Sequence, residues 1–324
     1  MEVFRDGFLF VIAVVLGVPP STQFVLMDTG SNVLWVQCEP CVLKPHSNCV
    51  NDQCIYSISY GDGAGTTKGV ASVETFRFPL KDNTIQPLDG IVFGCSNDNV
   101  NIGYDDTAIS GIIGLSLSRE SLVTQLPDYI LSLPCVPLAE GEAAGPSSFL
   151  TFGSAIFPLG AIFKQLPLLS LLYISNIYYY YLNLLDISVG RDRIGFPSDT
   201  FKLNQDGTGG ILIDSGSVSS YLNSDDLRNG RNPYKEVIGA FQKFYDSLNL
   251  QRKFNAPTVP QFELCYDMPQ GFNHFATMTY HFYKADYIVD GIFANYIRNE
   301  DGFFLCVIAW SKSDVNTRSL ASAE

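Results

Sequence analysis

Two short segments carry the residue types that hydrolytic chemistry needs. Val25-Leu26-Met27-Asp28-Thr29-Gly30-Ser31 and Ile211-Leu212-Ile213-Asp214-Ser215-Gly216-Ser217 each run from an apolar triplet into Asp-hydroxyl-Gly-hydroxyl. An apolar strand would bury the base of each loop. The glycine lets the backbone turn tightly without a Cβ clash. Thr29 and Ser215 are small hydroxyl residues that can hydrogen-bond and hold the loops rigid. Two carboxylates brought within about 3 Å cannot both ionise cheaply, so they share one proton. The ionised member then takes a proton from a water held between them, and the protonated member donates to a substrate carbonyl oxygen. The proton belongs to the pair, so neither Asp28 nor Asp214 has a fixed state.

The elements that must hold these loops read mostly as short β segments punctuated by Gly, Asn, Asp and Pro: 24–27, 33–36, 55–60, 91–93, 178–184, 211–213 and 303–308. Helical signals are few. Ser118 precedes a short candidate helix. Pro233 opens a longer one, in which Val237, Phe241, Phe244 and Leu248 recur at helical spacing and form one apolar face. The motif repeat at about half the chain length predicts two related lobes, 1–158 and 172–324, joined near 158–172.

Composition bounds the partners. The chain has 324 residues, 46% hydrophobic, with 33 acids against 20 bases and a net charge of −13. That balance argues against nucleic acid and anionic membrane surfaces and fits a soluble, monomeric protein working in acid. Eight cysteines point to disulfides and an oxidising compartment. No stretch reaches the roughly 20 apolar residues of a membrane span. The apolar run 8–18 can be read as a signal peptide, but it leads directly into the first motif and is better read as a buried strand.

The motifs around Asp28 and Asp214 resemble the active-site loops of pepsin-type aspartic proteases, and further segments resemble the plant nepenthesin-like branch. Asp28-Thr29-Gly30-Ser31-Asn32-Val33-Leu34-Trp35-Val36 is similar to the first loop, including the supporting Trp35. Tyr56-Ser57-Ile58-Ser59-Tyr60-Gly61-Asp62-Gly63 resembles the flap hairpin. Ser110-Gly111-Ile112-Ile113-Gly114-Leu115 resembles the segment that closes the first loop. Ile91-Val92-Phe93-Gly94-Cys95, together with the run 187–210, points to the plant branch. The resemblance implies a mainly β, bilobal fold with a catalytic cleft between the lobes, and peptide-bond hydrolysis at acid pH by Asp28 and Asp214. It implies loop support from Thr29, Gly30, Ser31, Ser215, Gly216 and Ser217. Substrate contacts fall to Tyr60, Gly61, Asp62, Gly63 and Trp35. It implies polypeptide substrates, no cofactor, no metal, and a secretory route to the apoplast or vacuole.

The resemblance also marks departures. The family's signal peptide and prosegment are not seen, and the insert between Cys41 and Cys49 is short. After Trp310 the segment 311–324 is polar and lacks an apolar-apolar-Gly pattern. A chain truncated at both ends is therefore expected, with an Asp214 loop that lacks its closing strand, a weaker second lobe and reduced activity. By resemblance Cys38 pairs with Cys41 and Cys265 with Cys306. Cys49 and Cys54 are left to pair with each other, and Cys95 and Cys135 are left unpaired.

Other readings are weaker. Cys38-x2-Cys41 with Cys49-x4-Cys54 has a loose spacing for zinc, and a redox role for Cys38 and Cys41 lacks a βαβ context. His46, His274 and His281 show no ligand or triad spacing and read as surface residues. The rival from another class is a catalytically inactive, inhibitor-like protein-binding module. Such family members typically lose an active-site aspartate or the flap, whereas Asp28, Asp214 and Tyr60 are all present.

Overall fold

In the computed structural model, the described residues are 2–6, 9–38, 49–50, 53–60, 65–80, 82–102, 109–126, 131–132, 148–152, 178–217, 220–223, 230–254, 256, 262–298, 304–307, 309–312 and 319–321. The chain divides into two compact units, Met1–Gly160 and Ala161–Glu324, both dominated by β-strands. Gly61, Asp62, Gly63, Cys41, Cys135, His46 and the expected join at 158–172 lie outside the described residues.

The first unit is built on a ten-stranded sheet. The apolar run near the start forms strand Leu9–Leu16, with Ile12 and Val14 fully buried. It pairs antiparallel with Ser21–Asp28, the strand that ends on the first aspartate. From Val25 to Asp28 this strand is buried on both faces. Val25 and Met27 enter one core with Phe76, Phe78 and Leu122, while Leu26 packs with Trp35 and Ile112 on the other side. On its far side Ile109–Gly114 runs parallel to it, pairing Met27 with Ile113 and Asp28 with Gly114. Trp35–Gln37 lies between Ile109–Gly114 and Ile85–Val100. The close approach needs small residues. A Cβ on Gly111 would lie 2.1 Å from the Trp35 carbonyl oxygen, and one on Gly114 would lie 2.5 Å from the Asn32 carbonyl carbon. The short helix is Leu122–Gln125, and its cap is Ser121, whose hydroxyl accepts from the Val123 N–H, rather than Ser118.

The second unit repeats this pattern. Strand Ile211–Asp214 pairs with Tyr181–Leu182 on one side, so the aromatic run there ends in a strand. On the other side it pairs in parallel with Ser319–Ala321, which sets Ile213 against Leu320 and Asp214 against Ala321. Ser220–Asn223 follows the second aspartate as Trp35–Gln37 follows the first. It pairs in parallel with Ala309–Lys312, as Trp35–Gln37 does with Ile85–Val100. The expectation of a missing closing strand is therefore wrong. Ser319-Leu320-Ala321 takes the place that Ile112-Ile113-Gly114 takes in the first unit. Backbone pairing asks for extended geometry and a small residue beside the loop, and Ala321 meets that need without glycine.

This pairing gives a testable consequence. A variant ending at residue 318 will exchange its 211–217 amides about tenfold faster or more, the factor for about 1.4 kcal/mol of local opening. Unchanged exchange would show that Ser319–Ala321 does not support the loop.

Helix Pro233–Ser247 packs against strands Leu184–Val189, Ser220–Asn223 and Ala309–Lys312. Asn232 caps the helix by accepting from the Lys235 N–H at 2.9 Å, and Pro233 occupies the first turn. Val237, Phe241 and Tyr245 are fully buried. Tyr245 replaces the expected Leu248 on the inward face because its hydroxyl donates to Asn295 Oδ1 and accepts from the Ala276 N–H. Among the described residues no helix is long and apolar enough to cross a membrane.

Candidate active site

Each aspartate is held by its own loop in the same way. In the first unit the Gly30 N–H donates to Asp28 Oδ1 at 2.9 Å. The Asp28 carbonyl accepts from the Leu115 N–H at 2.8 Å, which ties the loop to the strand beyond Gly114. Ser116 donates to Asn32 Oδ1 at 2.9 Å, and its N–H reaches the Ser31 carbonyl. In the second unit the Gly216 N–H donates to Asp214 Oδ1, again at 2.9 Å, and the Ser217 hydroxyl donates to Oδ2 at 2.7 Å. Donors aimed at both oxygens fix the plane of the Asp214 carboxyl group. Asp28, Thr29, Ser31 and Ser215 are buried, and Asp214, Ser217 and both loop glycines are partly exposed.

Tyr60, the expected flap residue, ends strand Gln53–Tyr60. Its hydroxyl accepts from Trp35 Nε1–H at 2.8 Å, which links this strand to the strand that follows the Asp28 loop. Burial, reinforced by the negative charge of Asp28, pushes the phenol well above the ordinary tyrosine range against the hydrogen bonds of Trp35 and Ser31. Tyr60 therefore keeps its proton at neutral and acid pH. Trp35→Phe will remove one hydrogen bond at a cost of about 0.5–1.5 kcal/mol. If Asp28 serves in peptide hydrolysis, turnover will fall several-fold while the melting temperature moves by only a few degrees. An unchanged turnover would separate the Trp35–Tyr60 contact from activity.

The cysteines correct the sequence reading. Cys38 is bonded to Cys95, not to Cys41, so Cys95 is not left over and Cys38 is not a zinc ligand. The reason is the sheet. Val36 is in register with Cys95, and the Cys38 N–H reaches the Ser96 carbonyl, which brings the two side chains together. Cys265 and Cys306 are bonded as expected. Strands Cys49–Val50 and Gln53–Tyr60 set the backbones of Cys49 and Cys54 directly opposite each other.

Two features of the second unit were not anticipated. Asp186, 3% exposed, accepts from Arg193 Nε–H at 2.6 Å and from the N–H groups of Ile187, Gly195 and Phe196. Burial raises its pKa, but the Phe196 and Ile187 N–H groups and Arg193 outweigh that and hold the carboxyl below its ordinary value. A strand with one acid among apolar neighbours, Leu184-Leu185-Asp186-Ile187-Ser188-Val189, was the available signal. The other is His281, which is not an isolated surface residue. Its Nε2 lies 2.7 Å from Ser188 Oγ and its Nδ1 lies 2.8 Å from Asp286 Oδ1. His274 is exposed, as expected.

The mainly β units with paired Asp-hydroxyl-Gly loops are those of a pepsin-like fold. Comparison with known proteins agrees. The family models "Xylanase inhibitor N-terminal" and "Xylanase inhibitor C-terminal" match residues 41–154 and 179–320. Aspartic proteinase nepenthesin-2 of Nepenthes gracilis is 33% identical over 294 residues, 80% of this chain and 60% of the relative. Nepenthesin-1 of the same plant is 27% identical, over 92% of this chain and 69% of its own. Aspartyl protease family protein 2 of Arabidopsis thaliana is 28% identical over 78% of this chain and 54% of its own. The chain thus spans a little over half the length of several curated relatives. Among solved structures, that of edgp matches with a TM-score of 0.76 at 15% identity, and that of basic 7S globulin from soybean with 0.69 at 16%. Each covers 99% of this chain and 89% of the other. This chain belongs to the plant nepenthesin-like branch of the pepsin-type aspartic proteases.

Proposed function

We propose that the chain is an aspartic endopeptidase that hydrolyses peptide bonds in polypeptides at acid pH. The observation that carries this reading is the matched handling of two carboxylates. Asp28 and Asp214 each receive a glycine N–H at 2.9 Å at the end of a buried strand, and each strand is flanked by a parallel partner. In this reading the carboxylates of Asp28 and Asp214 share one proton and one water. The ionised aspartate deprotonates the water as it attacks the scissile carbonyl carbon, and the protonated aspartate donates to the carbonyl oxygen. The resulting gem-diol collapses as a proton is delivered to the leaving amine. Thr29 and Ser215 brace the loops, and Tyr60 with Gly61, Asp62 and Gly63 covers the substrate. The acidic composition and two disulfides support a secretory route to the apoplast or vacuole.

The test is cleavage of a denatured protein substrate at acid pH with and without pepstatin. Pepstatin-sensitive cleavage with a maximum well below neutral supports the reading, and a maximum at alkaline pH overturns it. A second reading is favoured by one observation: both matched family models describe halves of xylanase inhibitors. On that reading the chain is an inactive protein-binding module, and it would show no pepstatin-sensitive cleavage.

A further inference from the structure

Sheet register in the second unit assembles a hydrogen-bonded chain far from the aspartate motifs in sequence. Leu184–Val189 pairs with Met278–Phe282, which pairs with Ala285–Val289. His281 stands directly opposite Asp286 and diagonal to Ser188, because Ser188 faces Thr279 and Asp186 faces His281. Side chains alternate across a strand. Ile187, Val189, Met278, Tyr280 and Phe282 therefore enter the core, and Ser188, His281 and Asp286 share the opposite face. On that face Ser188 Oγ is 2.7 Å from His281 Nε2, and His281 Nδ1 is 2.8 Å from Asp286 Oδ1.

We propose that Ser188, His281 and Asp286 form a second, serine-type acyl-transfer site that takes small, uncharged acyl esters. The geometry is that of nucleophile, base and orienting carboxylate in hydrogen-bond sequence, an arrangement recognised by roles rather than by chain order. Ser188 would attack the ester carbonyl carbon as His281 Nε2 takes the hydroxyl proton. The tetrahedral adduct would then expel the alcohol oxygen, which receives that proton from His281, and leave an acyl ester on Ser188. Water, deprotonated by the same nitrogen, would release the carboxylic acid and return the proton to Ser188. Asp286 holds the Nδ1–H and stabilises the imidazolium. Arg193 stands opposite Ser188 in the adjoining hairpin and is ion-paired with Asp186 at 2.6 Å. Ser188 is only 7% exposed, which restricts the acyl group to a short one.

The test uses the intact protein at neutral pH with pepstatin present. A fluorophosphonate probe followed by peptide mass spectrometry should place the label on Ser188. Hydrolysis of p-nitrophenyl acetate should fall by about 100-fold or more in Ser188→Ala and His281→Gln, with Asp286→Asn intermediate. The charged groups facing His281 are Asp186, Arg193 and Asp286 on the paired strands, with Lys284 in the adjoining turn. Absence of label on Ser188 in the folded protein would overturn the proposal. So would hydrolysis at the unmodified rate by a Ser188→Ala variant with native circular dichroism. If a variant fails to fold, labelling of the unmodified protein decides. Acid peptidase activity depends on other residues and is blocked by pepstatin, so the two readings fail separately.

Discussion

On the proposed peptidase reading, Asp28→Asn and Asp214→Asn will each reduce acid turnover to background, a loss of at least about 10²–10⁴-fold, the contribution of a single positioned acid or base. An asparagine keeps the shape of the side chain and can still accept the glycine N–H at Oδ1, so the loops should stay folded. What it removes is the exchangeable proton. With only one ionisable partner the pair can no longer offer one charged and one protonated oxygen together. The losses should not add, because the two groups act as a unit. The double variant should be no worse than either single one. Substantial turnover in either variant, with an unchanged melting temperature, would remove that residue from the mechanism.

Converting Cys38 and Cys95 together to serine will destabilise the first unit by about 4 kcal/mol on the chain-entropy account of a loop of this length. The bridge closes a sequence separation of 57 residues. It ties the strand carrying Trp35 to Ile85–Val100, one residue beyond where their backbone pairing stops. Loss of the cross-link releases denatured-state entropy and loosens the end of a three-residue strand that supports Tyr60. Thermal unfolding under non-reducing conditions measures the effect. Cys265→Ser with Cys306→Ser serves as the comparison for the second unit. A change below 1 kcal/mol for the first pair would show that the sheet alone sets that register.

The parts of the fold that could be read in advance were local ones. An apolar triplet followed by Asp-Thr-Gly-Ser needs no distant partner to announce a strand entering a tight loop. Pro233 and the Val237–Phe241 spacing likewise announce a helix within one segment. What could not be read depends on register between distant strands. Cys38 meets Cys95 because Val36 is in step with Cys95, and nothing in the spacing of the cysteines states that. His281 lies between Ser188 and Asp286 only because three strands align. Its linear distance of 93 residues from Ser188 hides the contact. Ser319–Ala321 was missed for a different reason. Its sequence lacks the glycine that marks the first unit's closing strand, whereas the parallel ladder requires only a small residue in extended geometry, here Ala321.

The pairing of Ile211–Asp214 with Ser319–Ala321 also orders events during synthesis. The first aspartate strand finds its parallel neighbour about 85 residues downstream, well inside its own unit. The second must wait for residues more than a hundred positions later. A nascent chain emerging from the ribosome can therefore complete the Asp28 loop while the Asp214 strand still shows an unpaired edge. Long-range parallel pairing is intrinsically slow, because the loop must close before its contacts repay the cost. Between those two moments Ile211-Leu212-Ile213 is an apolar, β-prone segment open to intermolecular pairing. A pause in translation ahead of residue 319 would prolong that interval, and chaperone engagement and aggregation of stalled chains should both peak there.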